Sequence, residues 1–144
     1  MTMAKAVARG EVNASADEVW ALVGGFGNWE KFDSAVVASS LEEGGVQRRT
    51  QIKDSGHLVE RLLKFDHEGR VYHYTIAEIV DVPMPINNYY ATIRVDEGEP
   101  GKTCIFEMSA TFDPAPGQTV EAVEELMAAD FGAVLGGLQK LFSG

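Results

Sequence analysis

The sequence has little positive charge. Only 12 Lys and Arg stand against 22 Asp and Glu in 144 residues, which gives a formal net charge of −10. Nucleic acids and anionic membrane surfaces attract basic patches, and the largest basic cluster here is the pair Arg48-Arg49. We therefore expect no nucleic-acid partner. The acidity favours solubility instead.

Cysteine and long apolar runs are also scarce. The single Cys104 excludes an intramolecular disulfide and agrees with a reducing compartment. No run approaches the roughly 18 apolar residues of a membrane span. We therefore expect a cytoplasmic protein that does not insert into membranes. No His, Cys and Asp residues have the spacing of metal ligands, and we expect neither a metal nor another cofactor.

The length and the hydrophobic patterns of the sequence predict one domain over residues 1–144, with seven strands and a long final helix. Ser15 and Glu18 form a capping box that predicts a short helix, and residues 27–32 predict a second short helix or turn. Compact Gly-containing turns separate the other strand-like runs, which is typical of an antiparallel meander. The predicted strands cover residues 4–13, 35–41, 46–53, 57–65, 70–80, 88–96 and 102–112.

The last segment, from Thr119 to about Phe142, has helical periodicity. Together with the strands it predicts an α+β fold with helices on one face of the sheet. Small residues are frequent in this helix, and each interior glycine costs roughly 1 kcal/mol relative to alanine. Two reasons remain open for the small residues: close packing against the sheet, or space for a bound molecule. Ala129, Ala133 and Gly137, spaced by four, could form one trough.

The most informative single residue is Glu60. Strand periodicity puts Leu58, Glu60 and Leu62 on one face, which we place inward. A carboxylate among inward apolar groups is costly unless something pairs with it. A hydrated internal cavity that needs a polar group would explain its presence.

Tyrosines on the two following strands face the same way in this interpretation. Tyr74 and Tyr89 combine an aromatic surface with a hydroxyl group that can orient a ligand. The alternative is a buried Tyr–Glu hydrogen bond that only specifies the core. Alternation favours an outward Glu107, and neither face of residues 46–53 is clearly apolar. The other inward positions on the strands that carry Tyr74 and Tyr89 are Tyr72, Ile76, Ala91, Ile93 and Val95.

With these residues in view, the chain resembles the START-like (SRPBCC) superfamily, which includes birch-pollen-allergen-type proteins, polyketide cyclase/dehydrase-like proteins and plant abscisic-acid receptors. The resemblance covers nearly the whole chain. It rests on the order and spacing of several short motifs, each weak alone. They are Ala16-Asp-Glu-Val-Trp20, Phe26-Gly-Asn-Trp-Glu-Lys-Phe32, Ser55-Gly56, Glu60-Arg-Leu62, Asp66, Arg70, Tyr74, Asn88-Tyr89, Thr92-Ile-Arg-Val95 and Gly137-Leu-Gln-Lys-Leu141.

The resemblance implies a helix-grip fold, in which a curved seven-stranded antiparallel sheet wraps a long C-terminal helix and encloses a cavity. It implies that Glu60 looks into that cavity, and it places Glu107 inward, against the alternation. It also implies that residues 54–57 and 81–87 form facing loops at the mouth. The cavity lysine of the hormone receptors falls at Ser34, so plant-hormone sensing is not implied; Lys53 could substitute for that lysine.

Two principal functions remain open. The first is a protein that binds a small hydrophobic molecule to carry or sense it. The second is a cofactor-free cyclase or dehydratase, with Glu60 as general base and Tyr74 and Tyr89 as hydrogen-bond donors. A weaker third is a protein-interaction module that uses the mouth loops. The expected ligand-binding residues are Phe32, Lys53, His57, Leu58, Glu60, Leu62, Tyr72, Tyr74, Ile76, Met84, Ile86, Tyr89, Ala91, Glu107, Ala129, Ala133 and Gly137.

Overall fold

A computed structural model describes residues 3–143. Its seven strands form one antiparallel sheet in the order β1-β7-β6-β5-β4-β3-β2. All neighbours are consecutive in sequence except β1 and β7, which closes the meander onto the first strand. The strands are β1 (Ala4–Val12), β2 (Val36–Glu42), β3 (Gln47–Ile52), β4 (His57–Asp66), β5 (Val71–Val80), β6 (Ile86–Glu97) and β7 (Cys104–Pro114).

Two α-helices and two short 3-10 turns accompany the sheet. Helix α1 (Ala16–Val23) begins at the predicted capping box, in which Ser15 Oγ accepts from the Glu18 amide and Glu18 Oε1 accepts from the Ser15 amide. The turns cover Trp29–Lys31 and Glu43–Gly45. Helix α2 (Val120–Leu141) begins at Thr119, whose Oγ1 accepts from the Ala122 amide. The predicted α+β helix-grip architecture is confirmed.

The position of α2 leaves part of the sheet uncovered. One stripe of α2 is buried, and the helix packs against β1 and β7 at one end of the sheet. The inner faces of β3, β4 and β5 lie farther along the sheet from this contact. Their inward side chains therefore border open space. The buried stripe consists of Val123, Met127, Phe131, Val134 and Leu138.

The glycines of α2 have different surroundings. A Cβ atom on Gly137 would lie 2.0 Å from the carbonyl oxygen of Phe32, whereas Cβ atoms on Gly132 and Gly136 would meet nothing within 4 Å. Close packing therefore explains Gly137, and it packs against the segment before β2 rather than the sheet. Gly132 and Gly136 are exposed and border no other element.

Candidate functional site

A cavity of about 320 Å³ lies between α2, the inner faces of β3–β5 and the loops beside them. Its wall is mainly apolar, with a few polar groups at defined places. Such a combination is typical of small-molecule sites. The apolar and aromatic part of the wall includes Trp29, Val36, Ile52, Leu58, Tyr74, Ile76, Met84, Tyr89, Met108, Met127, Phe131 and Val134.

Glu60 is buried in this wall and forms a salt bridge with Arg48. The two residues are direct cross-strand partners on β4 and β3. Arg48 Nε donates to Glu60 Oε1 over 3.0 Å, Arg48 Nη2 lies 2.9 Å from the same oxygen in the salt bridge, and Thr50 Oγ1 donates to it over 2.8 Å. The burial cost of this carboxylate is thus offset by the salt bridge with Arg48, which includes one charge-assisted hydrogen bond, and by the hydrogen bond from the Thr50 hydroxyl.

Each of the three guanidinium nitrogens of Arg48 has a partner within the protein. Its Nη1 donates to the Phe26 carbonyl oxygen over 2.9 Å, and its guanidinium lies 4.1 Å from the centroid of the Phe26 ring. Trp29 and Tyr74 also face the guanidinium. Burial alone would lower the pKa of Arg48, but the interactions with Glu60, Tyr74 and Tyr72 together outweigh this effect, and the pKa is raised. Arg48 therefore stays charged.

The second carboxylate oxygen of Glu60 is different. Both hydrogen bonds and the Arg48 Nη2 contact are made to Oε1, and no residue between 3 and 143 donates to Oε2. In the same range, no fully buried side-chain oxygen is without a partner. Oε2 therefore retains some accessible surface, and because Glu60 lines the cavity, that surface faces it. The cavity thus contains one acceptor that a bound molecule or water can use.

Tyr74 and Tyr89 bring their hydroxyl groups together in the cavity wall, 3.4 Å apart. Burial raises the pKa of both phenols well above the ordinary value. They remain protonated at neutral pH and can serve as donors. Tyr72 lies deeper: it donates to the Val23 carbonyl oxygen and accepts from Trp29 Nε1, and burial raises its pKa to about 12.

Two further carboxylates, Asp33 and Asp130, lie in the part of the wall formed by α2 and the segment before β2. Asp33 Oδ1 accepts from the Ala35 amide. Burial raises the pKa of Asp33, and the nearby charges of Asp130 and Glu60 raise it further. Partial burial also raises the pKa of Asp130. Neither carboxylate forms a salt bridge within the described part of the chain.

Of the ligand-binding residues predicted from the sequence, seven lie in the wall of this cavity. They are Leu58, Glu60, Tyr74, Ile76, Met84, Tyr89 and Ala133. Five more are buried or half-buried in neighbouring packing rather than in the wall. They are Phe32, Leu62, Tyr72, Ile86 and Ala91.

The remaining five predicted residues lie away from the cavity for identifiable reasons. Glu107 is on the outer face of β7, where it accepts from Arg9 Nη1 over 3.0 Å, so alternation describes it correctly and the resemblance does not. His57 contacts Arg49 on the outer face of β4. Lys53 and Ala129 are exposed outside the wall, and Gly137 faces the Phe32 backbone.

The sequence interpretation missed Arg48, Thr50, Asp33 and Asp130. A signal for the first two exists: Arg48, Thr50 and Ile52 alternate on β3, and an antiparallel partner for Glu60 must come from a neighbouring strand. No comparable signal marks Asp33 and Asp130, because only the packing of α2 places them in the same wall. In residues 3–143, no cluster of His, Cys, Asp or Glu has the geometry to hold a metal ion.

The β3–β4 and β5–β6 loops are joined at Gly56. The Gly56 amide donates to the Asp81 carbonyl oxygen over 2.9 Å, and a Cβ atom there would lie 1.7 Å from the Val80 carbonyl oxygen. We expect Gly56→Ala to separate the loops and to destabilise the protein by about 1–2 kcal/mol. In hydrogen exchange, the residue-56 amide should lose protection, whereas Ser55→Ala should leave it protected. Unchanged protection in Gly56→Ala would show that the loops tolerate the extra atom.

Comparisons with known proteins agree with this architecture. A solved structure of the protein XoxI from Bacillus cereus is 32% identical, with a TM-score of 0.89 and coverage of 96% of this chain and 95% of that one. An uncharacterised protein from Bacillus thuringiensis is also 32% identical, with a TM-score of 0.90 and coverage of 98% and 100%. Truncated norcoclaurine synthase from Thalictrum flavum is 20% identical, with a TM-score of 0.73 and coverage of 97% and 93%, a likeness of fold alone.

A search of curated protein sequences gives no significant match. No helix in residues 3–143 is long and apolar enough to cross a membrane. The family model described as polyketide cyclase / dehydrase and lipid transport matches residues 3–143. The chain therefore belongs to this START-like (SRPBCC) family.

Proposed function

We propose that the protein binds one small, largely apolar molecule in the cavity between α2 and the sheet. The observation that carries this proposal is the Oε2 of Glu60, which lies in a mainly apolar wall and has no donor among residues 3–143. A carboxylate fixed by Arg48 and Thr50 but open on one side is a preorganised acceptor for a ligand donor. The Tyr74–Tyr89 hydroxyl pair adds a second polar contact. The family's description as lipid transport proteins also supports a hydrophobic ligand.

The test uses N-phenyl-naphthylamine, a neutral apolar fluorophore with one N–H donor. Ala133 lies in the cavity wall, and Ala129, one helical turn earlier, does not. We expect the wild type and Ala129→Phe to enhance the probe's fluorescence with similar affinity. Ala133→Phe should reduce the affinity at least about tenfold, because the ring fills the cavity. Circular dichroism checks that both variants are folded.

Equal binding by both phenylalanine variants would contradict the proposal, because the probe would then occupy an exposed apolar surface instead. Native mass spectrometry of protein purified from its own host, followed by extraction, identifies the natural ligand. A ligand that Ala133→Phe still retains in that experiment would lie elsewhere.

A second candidate function is cofactor-free catalysis of the cyclase or dehydratase type. It is favoured by the same open oxygen, since Glu60 Oε2 could accept a proton while Tyr74 or Tyr89 donates a hydrogen bond to a carbonyl. Glu60→Gln separates the two functions once the ligand is known. An enzyme should lose turnover while it keeps affinity, whereas a carrier should show only a change in affinity.

A further inference from the structure

The charged groups of the cavity wall are unbalanced. Three carboxylates, Asp33, Glu60 and Asp130, face one guanidinium, that of Arg48, which leaves a net charge of −2 when all are ionised. The guanidinium is committed to Glu60 and to the Phe26 carbonyl oxygen. No other Lys, Arg or His lines this cavity in the part of the chain that the structure describes.

The carboxylates also have unused acceptor capacity. The side chain of Glu60 is only 7% exposed, yet its Oε2 has no donor within residues 3–143. Asp33 accepts one backbone hydrogen bond through Oδ1. Asp130, on α2, lines the same wall and forms no salt bridge among the described residues. A buried oxygen with a free lone pair and two nearby negative charges favour a ligand that supplies both a donor and a positive charge.

A carboxylate-bearing ligand lacks a counter-ion in this wall. Lys53, the counter-ion considered from the sequence, is exposed outside the wall. Placing an anion among these carboxylates costs free energy, because like charges repel, most strongly beside the buried Glu60. The wall therefore selects against acids and leaves neutral or cationic molecules.

On the basis of the small-molecule binding proposed above, we propose that the natural ligand is a protonated amine with an apolar body. Its N–H groups bind Glu60 Oε2, Asp33 and Asp130 attract its charge, and its body packs on the aromatic and aliphatic wall. The carboxylates of the wall therefore distinguish ligands by charge, so molecules of the same shape but different charge should bind with different affinities.

Three probes of one skeleton test the charge alone: (naphthylmethyl)amine, naphthylmethanol and naphthoic acid, all substituted at the same ring carbon. Each competes with N-phenyl-naphthylamine for the wild-type protein at about pH 7, where the amine is cationic and the acid anionic. We expect the amine to bind at least about tenfold more tightly than the alcohol, and the acid at least about tenfold more weakly.

Three variants locate the charge effect. The double variant Asp33→Asn/Asp130→Asn keeps the acceptor for the Ala35 amide and should bring the affinity for the amine within about threefold of the affinity for the alcohol. Glu60→Gln, tested separately, should lower amine affinity more than alcohol affinity. The matched control Glu125→Gln, on the same helix but outside the cavity wall, should leave the amine-to-alcohol ratio unchanged. This control distinguishes the effect of the cavity carboxylates on ligand binding from the effect of the protein's overall net charge of −10.

Each failure has its own signature. Equal wild-type affinities for amine and alcohol would overturn the charge preference and leave small-molecule binding intact. A preference that Glu125→Gln weakens as much as the aspartate variants would assign it to the protein's overall charge and also overturn the inference. If neither the fluorophore nor any of the three naphthyl compounds binds the folded protein, the proposed function itself fails.

Discussion

Arg48→Met is expected to destabilise the protein by about 3–5 kcal/mol, because it leaves Glu60 buried with only the Thr50 hydroxyl as a donor. Arg48 and Glu60 have side chains that are 2% and 7% exposed, so solvent does not replace the lost partner. Methionine fills much of the space that the aliphatic part of the arginine side chain occupies, so the substitution leaves only a small cavity. Urea unfolding of the variant and the wild type measures the difference.

The double variant Arg48→Met/Glu60→Leu should recover most of this loss, since it removes both buried charges together. The matched surface pair is Arg61–Glu43, whose side chains are 48% and 59% exposed. Arg61→Met should therefore cost less than about 1 kcal/mol. A loss for Arg48→Met as small as that for Arg61→Met would show that the pair is not desolvated.

The same pair connects stability to the proposed site. Glu60 has two oxygens: Oε1 binds Arg48 and Thr50, and Oε2 faces the cavity. The protein scaffold therefore fixes the carboxylate through one oxygen, and in the proposed function the other oxygen binds the ligand. This division explains how one buried carboxylate can stabilise the fold through Oε1 and still offer Oε2 as a hydrogen-bond acceptor.

Local patterns in the sequence predict most of the fold. The Ser15–Glu18 capping box, the glycine-containing turns and the helical spacing after Thr119 are all short-range signals, and each corresponds to an observed element. The boundaries of the last two strands differ by about two residues from the prediction. The pairing of Ile86 with Pro114 extends β6 and β7 beyond the positions that alternation alone marks.

The site is predictable only in part, because its residues come together through long-range packing. Glu60, Tyr74 and Tyr89 stand out as polar groups on apolar strand faces. Arg48 does not, because residues 46–53 have no clearly apolar face and an arginine there is typical of an exposed strand. Its burial depends on its cross-strand partner Glu60 and on the rings that cover it, which sequence spacing does not reveal.

Glycines in α2 show the same limit. From helix propensity alone, Gly132, Gly136 and Gly137 each destabilise the helix to the same extent. In the structure, only Gly137 of these three packs closely against another segment. The segment before β2 approaches the helix at Gly137 through the Phe32 backbone. Phe32 directly precedes Asp33 in the cavity wall, so this contact also sets the position of that wall.

Gly137→Ala is therefore expected to destabilise the protein by about 2 kcal/mol. The new methyl group would lie 2.0 Å from the Phe32 carbonyl oxygen, a backbone atom that has no rotamer through which to avoid it. Because the overlap is with a backbone atom, its relief costs about 3 kcal/mol, and the higher helix propensity of alanine offsets about 1 kcal/mol of this. Denaturant unfolding measures the net loss. Probe affinity should fall as well, because the wall at Asp33 moves with Phe32.

The control is the adjacent residue. Gly136 is exposed and a Cβ atom there meets nothing within 4 Å, so Gly136→Ala should stabilise the protein by about 0.5–1 kcal/mol and leave probe affinity unchanged. If the free energy of unfolding falls in Gly137→Ala and rises in Gly136→Ala, the effect of the contact with Phe32 is distinguished from that of intrinsic helix propensity. If Gly137→Ala were as stabilising as Gly136→Ala, the helix would not approach the Phe32 backbone this closely in solution, and the cavity wall beside it would need another support.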